Sequence, residues 1–275
     1  RQTNAQNDAV RSTDEELLFA ELDHATIQRA VYSERQLYEV MCDFWTNHLT
    51  VWRRAKWLSQ LKTVDNEQVV RRFALGKFAD LLMASAKSPA MLVYLDNFAS
   101  EGQPGSQVNE NYGRELLELH TLGIVDGSQV YAEADVVGVA KVLSGWSINW
   151  DNNANRYSFR FSEWWHCQEP VSILGGAWSR PSRANYQDRV ANAQRDGESL
   201  INFLARHPST ARNLASKLAH RFVSDAPPPA LVDRLAATYL ASDTAIAPVL
   251  RQLFLSPEFN AAIGQKVKRP QDWLF

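Results

Sequence analysis

The stretch Ser33-Glu-Arg-Gln-Leu-Tyr-Glu-Val-Met-Cys-Asp-Phe-Trp-Thr-Asn-His48 decides the fold class. Leu37, Val40, Met41, Phe44, Trp45 and His48 recur at helical spacing and fall on one stripe, as expected of an amphipathic helix with one buried face. Ser33 to Gln36 reads as a capping box that starts this helix. The same grammar recurs outward along the chain. Thr13-Asp-Glu-Glu16 reads as another capping box, Ser88 precedes a proline at a first helical position, and Asn109 reads as a cap. The spacing predicts helices near 14–30, 34–50, 66–86, 89–97, 109–122 and 132–144. Further helices are predicted near 184–205, 209–223, 228–241 and 243–255.

The character changes after Trp146. From Ser147 to Arg183 the chain carries Asn-Asn, Gly175-Gly176 and two prolines, and Ser158-Phe-Arg-Phe161 alternates as a short strand does. Irregular excursions of this length inside a domain are usually functional or disordered. Five of the nine tryptophans lie between Trp146 and Trp178, which argues against disorder. The expected fold is mainly α: a single multi-helix domain over residues 1–275 with a small irregular or β insertion around 147–180. Circular dichroism should then show helix well above one third and strand under about 10%.

A chain of 275 residues buries enough surface to hold a core without metals or disulfides. Its net charge of −2 gives no field that favours nucleic acid. No run of about 18 apolar residues occurs, so no transmembrane segment is expected, and Arg1 to Arg11 has no apolar h-region. Cys42 and Cys167 are too few for a disulfide scaffold; they are expected as two free thiols, with a bridge open only in an oxidising compartment.

Three segments carry candidate chemistry. In Asn109-Glu-Asn-Tyr-Gly-Arg-Glu-Leu-Leu-Glu-Leu-His-Thr-Leu-Gly123, the residues Glu110, Arg114 and Glu118 form one row, with Asn111 and Glu115 beside it and Tyr112, Leu116 and Leu119 opposite. The row is either a solvated set of ion pairs or a buried cluster in which Arg114 holds carboxylates for acid–base work. His120 falls on the apolar face, where a packed core histidine is expected. Asn47 and His48 sit at a helix C-terminal end, as a cap and packing pair or as a site. In Glu163-Trp-Trp-His-Cys167, aromatics flank His166; this is a packed loop or a substrate wall, since indole faces stack on sugars and cations. Glu21-Leu-Asp-His24 is a Glu-x-x-His, but no His-Glu-x-x-His, nucleophile elbow, P-loop or dinucleotide fingerprint is present. No metal or cofactor is therefore named.

The chain resembles the domain of unknown function 1800 family over about residues 30 to 275. The resemblance rests on Phe44-Trp-Thr-Asn-His48, Tyr94-Leu-Asp-Asn97, Asn109-Glu-Asn-Tyr-Gly-Arg-Glu115, His120-Thr-Leu-Gly123 and Leu143-Ser-Gly-Trp146. It continues in His166 with Leu174-Gly175, Arg206-His-Pro-Ser-Thr-Ala-Arg212, Ser256-Pro-Glu-Phe259 and Lys266-Val-Lys-Arg-Pro270. It implies an exported protein, periplasmic or secreted, encoded beside a second exported protein of the sulfatase and phosphatase type. It implies no established activity. The family usually shows aspartate where this chain has Cys167, which weakens a His–Asp pairing at His166, and it admits phenylalanine at the position of His120. Members extend beyond both ends of this chain, so Trp273 and Phe275 are expected to leave apolar surface near the C-terminus.

These readings together point to an envelope enzyme, hydrolytic on a polymer or glycan. Glu110, Glu115, His48 and His166 are the candidate catalytic groups, and Asn47, Asn111, Arg114, Trp146 and Trp165 the candidate substrate contacts. With the family motif added to the spacing, the Arg114 row is expected to be buried. The rival readings are a non-catalytic glycan- or protein-binding module and an accessory subunit of the neighbouring exported protein.

Overall fold

A computed structural model describes residues 4–52, 59–124, 127–151, 155–266, 269 and 272. Trp273 and Phe275, on which the expected C-terminal surface rests, lie outside the described residues.

The chain is mainly α, with a small β insertion where the tryptophans cluster. Helix α1 (Asn4–Tyr32) leads into α2 (Gln36–His48). Helix α3 (Ser59–Asp65) runs on through a π-helical turn (Asn66–Arg71). Then come α4 (Phe78–Ala86), α5 (Pro89–Tyr94) and α6 (Asn111–Glu115), the last extended by a π-turn over Leu116–His120. Helix α7 (Glu133–Leu143) precedes the insertion. In the insertion β1 (Trp146–Ile148) pairs antiparallel with β2 (Phe159–Phe161), and β3 (Val171–Ile173) with β4 (Trp178–Arg180). Helix α8 (Tyr186–Asp188) passes through a π-turn into α9 (Gln194–Ala205). Helices α10 (Pro208–Phe222), α11 (Pro229–Ala241), α12 (Ile246–Phe254) and α13 (Pro257–Ala261) complete the chain.

One continuous apolar cluster runs from Met41 on α2 to Leu253 on α12. The α2 stripe packs inward as its spacing predicts: Met41, Phe44, Trp45 and His48 are buried, while Leu37 at its start stays exposed. Trp45 sits between Phe44 and Phe78, and its indole N–H donates to the Ala74 carbonyl at 2.8 Å, so the ring is buried with its polar atom satisfied.

Local capping differs from the sequence reading at several positions. Thr13 lies inside α1, which begins nine residues earlier at Asn4. Ser33 is not an N-cap either: Arg35 is, Ser33 Oγ accepts from the Arg35 amide at 3.1 Å, and Gln36 donates back to the Ala30 and Ser33 carbonyls. The helix expected over 66–86 is interrupted at Gly76, where Lys77 forms a β-bridge with Ala245 and the Phe78 amide donates to the Thr244 carbonyl. Ser88 does begin α5 ahead of Pro89, but its hydroxyl donates to buried Asp65 at 2.7 Å instead of capping.

Several of the family's motif residues secure backbone crossings. Asn97 donates to the Leu143 and Trp146 carbonyls at 3.1 and 2.9 Å, tying the turn after α5 to the start of β1. Asn109 was expected to cap the next helix, but Glu110 is the N-cap of α6; Asn109 accepts from the Asn111 amide at 2.9 Å just ahead of it. A Cβ at Gly113 would stand 2.7 Å from the Val136 carbonyl oxygen, so glycine there lets α6 lie directly on α7. Trp146 is fully buried against Gly197 of α9, where a Cβ would stand 2.7 Å from the indole Cε2. Gly197→Ala is therefore expected to cost about 1–3 kcal/mol in a denaturant melt, since the indole has no open space to move into. An unchanged midpoint would show that this contact is soft.

Candidate functional site

The π-turn that ends α6 sets up the site. Helix ends leave their last carbonyls without intrahelical partners. Here several of those carbonyls have partners outside the helix ladder. Thr121 Oγ1 donates to Leu116 O at 2.6 Å and the Gly123 amide to Leu117 O at 3.0 Å. Those of Leu119, His120 and Thr121 are met by side chains from other helices. Lys217 Nζ donates to Leu119 O at 3.0 Å, His48 Nε2 to His120 O at 3.0 Å, and Asn213 Nδ2 to Thr121 O at 2.7 Å. Gly123 makes the close approach possible: its φ is +69°, and a Cβ there would stand 2.6 Å from the Asn213 amide.

The tautomer of His48 follows from this geometry. A carbonyl only accepts, so Nε2 carries the proton and Nδ1 is left as an acceptor. Lys217 Nζ lies 3.2 Å from that Nδ1. Burial pushes His48 well below the usual imidazole range, with Lys217 and His120 adding to the effect. The neighbouring His120, 6.4 Å away between ring centroids, is lowered to about 3 by burial. Both rings are neutral at pH 7. Burial also lowers Lys217, to about 8.

Asn213, Lys217 and Arg221 follow one another at i, i+4 and i+8 along α10, so one face of that helix points all three the same way. They line a cavity of about 660 Å³ whose opposite wall carries Asp43, Asn47 and His48 of α2. Arg269 and Asp272 line it as well. Arg221 pairs with Asp272 at 2.9 Å, and Arg269 pairs with Asp43 at 2.7 Å and Asp272 at 2.8 Å. These guanidinium partners hold the Asp272 carboxyl far below its usual range. Among the described residues lining the cavity, Lys217 is the cation without an acidic partner within ion-pair distance.

The residues expected to form one pocket lie apart from one another. Asn47 and His48 line the α2–α10 cavity. Glu110 lies on a separate cleft of about 230 Å³, shared with Lys141, Cys167 and Glu169. Arg114 points to solvent: its side chain is 41% exposed, it forms a bidentate pair with Glu133, one arm at 2.9 Å, and Glu110 stands 3.7 Å away. The expected burial of that row is thus corrected. Arg114→Ala should leave the denaturant midpoint close to wild type, because both carboxylates then turn to water; a large loss would show that the row supports the fold. Glu115 is half-buried beside Glu118, and burial raises its carboxyl. Asn111 is exposed, with a long 3.4 Å contact from its amide to Leu95 O.

His166 is fully buried. Its Nδ1 lies 2.9 Å from Ser144 O, Nε2 has no hydrogen-bond partner, and burial lowers it to about 4. Trp146 is enclosed in the core and Trp165 is half-buried. The tryptophans at the surface of the insertion are Trp150 and Trp164, and Trp164 packs on Tyr186 at 4.8 Å. None of the described tryptophans lines the α2–α10 cavity. Cys42 and Cys167 are both buried and free, which settles the thiols against a bridge; burial pushes the Cys42 thiol up to about 11, away from reactive thiolate.

Lys217, Asn213, Arg221 and Arg269 were not singled out from sequence. The available signal was the polar row on α10, set beside the buried Leu214 and Leu218. Among the described residues no group of three His, Cys, Asp or Glu side chains is placed to hold a metal ion. No helix among them is long and apolar enough to cross a membrane.

Comparison with known proteins agrees with the motif reading and extends it to the whole chain. No curated protein and no solved structure matches it. The family described as "Protein of unknown function (DUF1800)" matches residues 1–275. With its Asn-His end of α2, its Asn-Tyr-Gly-Arg-Glu helix and its His-Thr-Leu-Gly turn built into one interlocked structure, this chain belongs to the DUF1800 family.

Proposed function

We propose that the protein is an enzyme of the cell envelope whose reactive centre is the α2–α10 cavity, with the Lys217 amine as its acid–base group. The observation that supports this reading is the placement of that amine. It is held on a cavity wall by a neutral imidazole nitrogen and a backbone carbonyl, without a carboxylate to fix its charge. A lysine shifted to about 8 by burial exchanges its proton near neutral pH, which suits general acid–base work. The reaction class we assign is hydrolysis of a polymer or glycan. Neutral Lys217 takes the proton from water, while Asn47 and Arg221 on the cavity walls orient the polar substrate. His48 keeps its place at this centre; Glu110, Glu115 and His166 lie outside it. Envelope localisation and the neighbouring sulfatase- or phosphatase-like partner are carried as part of the proposal by the family resemblance.

The test is release of reducing ends from purified envelope polysaccharide by the wild-type chain, Lys217→Met and Lys217→Arg. The wild type should release them, with a rate that rises with pH to a plateau above about 8. Both variants should lose at least about a hundredfold, the usual weight of a general base. No release by the wild type, or full release by Lys217→Met, overturns the assignment.

One observation favours the second reading, a glycan-binding module. The exposed Trp164–Tyr186 pair has a carboxylate at its edge: Tyr186 donates to Glu163 at 3.3 Å. Aromatic faces edged by acceptors suit sugar rings. On that reading Trp164→Ala abolishes glycan binding and Lys217→Met leaves it intact.

A further inference from the structure

The hydrogen bonds around Lys217 define more than a base. An amine nitrogen has four tetrahedral directions. One is the bond to Cε; two point to His48 Nδ1 at 3.2 Å and Leu119 O at 3.0 Å. Both of these partners accept, His48 because its other nitrogen is committed to His120 O at 3.0 Å. A neutral amine has two N–H groups, and the two acceptors match them. Its lone pair then takes the remaining direction, toward the cavity that Lys217 lines. A solvated surface lysine has no such fixed lone pair, and an ion-paired one keeps its proton.

Resting on the reading of Lys217 as the reactive amine, we propose that the cavity takes a substrate bearing an aldehyde or ketone, such as the open-chain end of a reducing sugar, and that Lys217 forms an imine with it. The lone pair attacks the carbonyl carbon and the new C–N bond forms as the C=O π bond breaks. His48 Nδ1 accepts a proton from the amine and returns it to the oxygen, which gives a carbinolamine. A further proton from solvent releases that oxygen as water, which leaves through the open side of the cavity. The product is the protonated imine, whose single N–H stays on Leu119 O. Carbonyl carbon and nitrogen keep their oxidation levels, so no redox partner enters. Depression of the lysine by burial keeps a fraction of the amine neutral at pH 7, in support of the geometry.

The experiment is trapping with glycolaldehyde and sodium cyanoborohydride at pH 7, with peptide mapping by mass spectrometry. The peptide containing Lys217 should be labelled at least about tenfold faster than those containing the ion-paired Lys77 and Lys266, as expected for an activated amine. His48→Gln, which accepts a hydrogen bond but not a proton, should slow that labelling while circular dichroism stays unchanged. Should His48→Gln fail to fold, the Lys217-to-Lys77 rate ratio in the wild type decides alone. Equal rates at Lys217 and Lys77 overturn the imine. If they are equal while acetic anhydride labelling of Lys217 still has its midpoint near 8, the carbonyl substrate falls and the acid–base lysine stands. If that midpoint lies in the ordinary lysine range, both fall.

Discussion

Acidification from pH 6.5 to pH 5 is expected to cost this fold about 5 kcal/mol of unfolding free energy, and histidine burial is the reason. His48, His120 and His166 are all buried and neutral. Burial lowers His120 to about 3 and His166 to about 4, and His48 goes well below its ordinary value. The sign follows from which state binds protons. Below about 6.5 the unfolded chain protonates all three rings, whereas the folded chain does not. Stability is therefore fully present above that pH and is lost as pH falls toward the folded values. Once the unfolded rings are protonated each contributes about 1.4 kcal/mol per pH unit, so three together give roughly 4 per pH unit, less near pH 6.5 where the unfolded rings are half protonated. Carboxylates held low by arginine, such as Asp272, add their own loss only at more acid pH, so the windows separate. Urea melts at pH 7 and pH 5 measure the difference. His166→Phe should cut the slope by about one third, because one titrating group of three is gone. A midpoint that does not move between pH 7 and pH 5 would mean that the rings are open to water.

Lys62→Met is expected to lower stability by about 3–5 kcal/mol, the effect of stranding a buried charge. Lys62 and Asp65 are an i, i+3 pair at 3.2 Å with side chains 7% and 3% exposed, and Ser88 Oγ donates to the other carboxylate oxygen at 2.7 Å. This pins α3 to the start of α5. Without Lys62, Asp65 keeps one hydrogen bond in a region closed to water. The double variant Lys62→Met with Asp65→Leu should recover much of the loss, since an apolar pair of similar volume leaves no orphaned charge. Denaturant melts of the two variants decide this. A single variant as stable as wild type would show that water reaches the pair.

The helices were legible because burial imposes a period that composition cannot hide, as in the Met41, Phe44, Trp45 and His48 stripe. The breaks in that period were not. A π-turn inserts an extra residue per turn, and from Leu116 onward the regular phase is lost. Leu119, expected beside buried Tyr112, is therefore 46% exposed, and its carbonyl meets Lys217 instead. Asn47 and His48 stood out in the sequence because they end their own helix, and both line the α2–α10 cavity. Lys217 was missed because its partner lies 169 residues away and a lysine on an amphipathic helix ordinarily faces water. Likewise the split at Gly76 depends on Ala245, a contact that no local pattern announces.

The claim that the α2–α10 cavity holds an acid–base lysine has one direct measurement: the pH dependence of Lys217 labelling by acetic anhydride, read peptide by peptide, with surface lysines as internal reference. Burial against His48 and the Leu119 carbonyl predicts a midpoint near 8 for Lys217, below the ordinary lysine range of about 10. A Lys217 midpoint equal to that of Lys77 would make it a solvated cap on the end of α6 and would contradict the account.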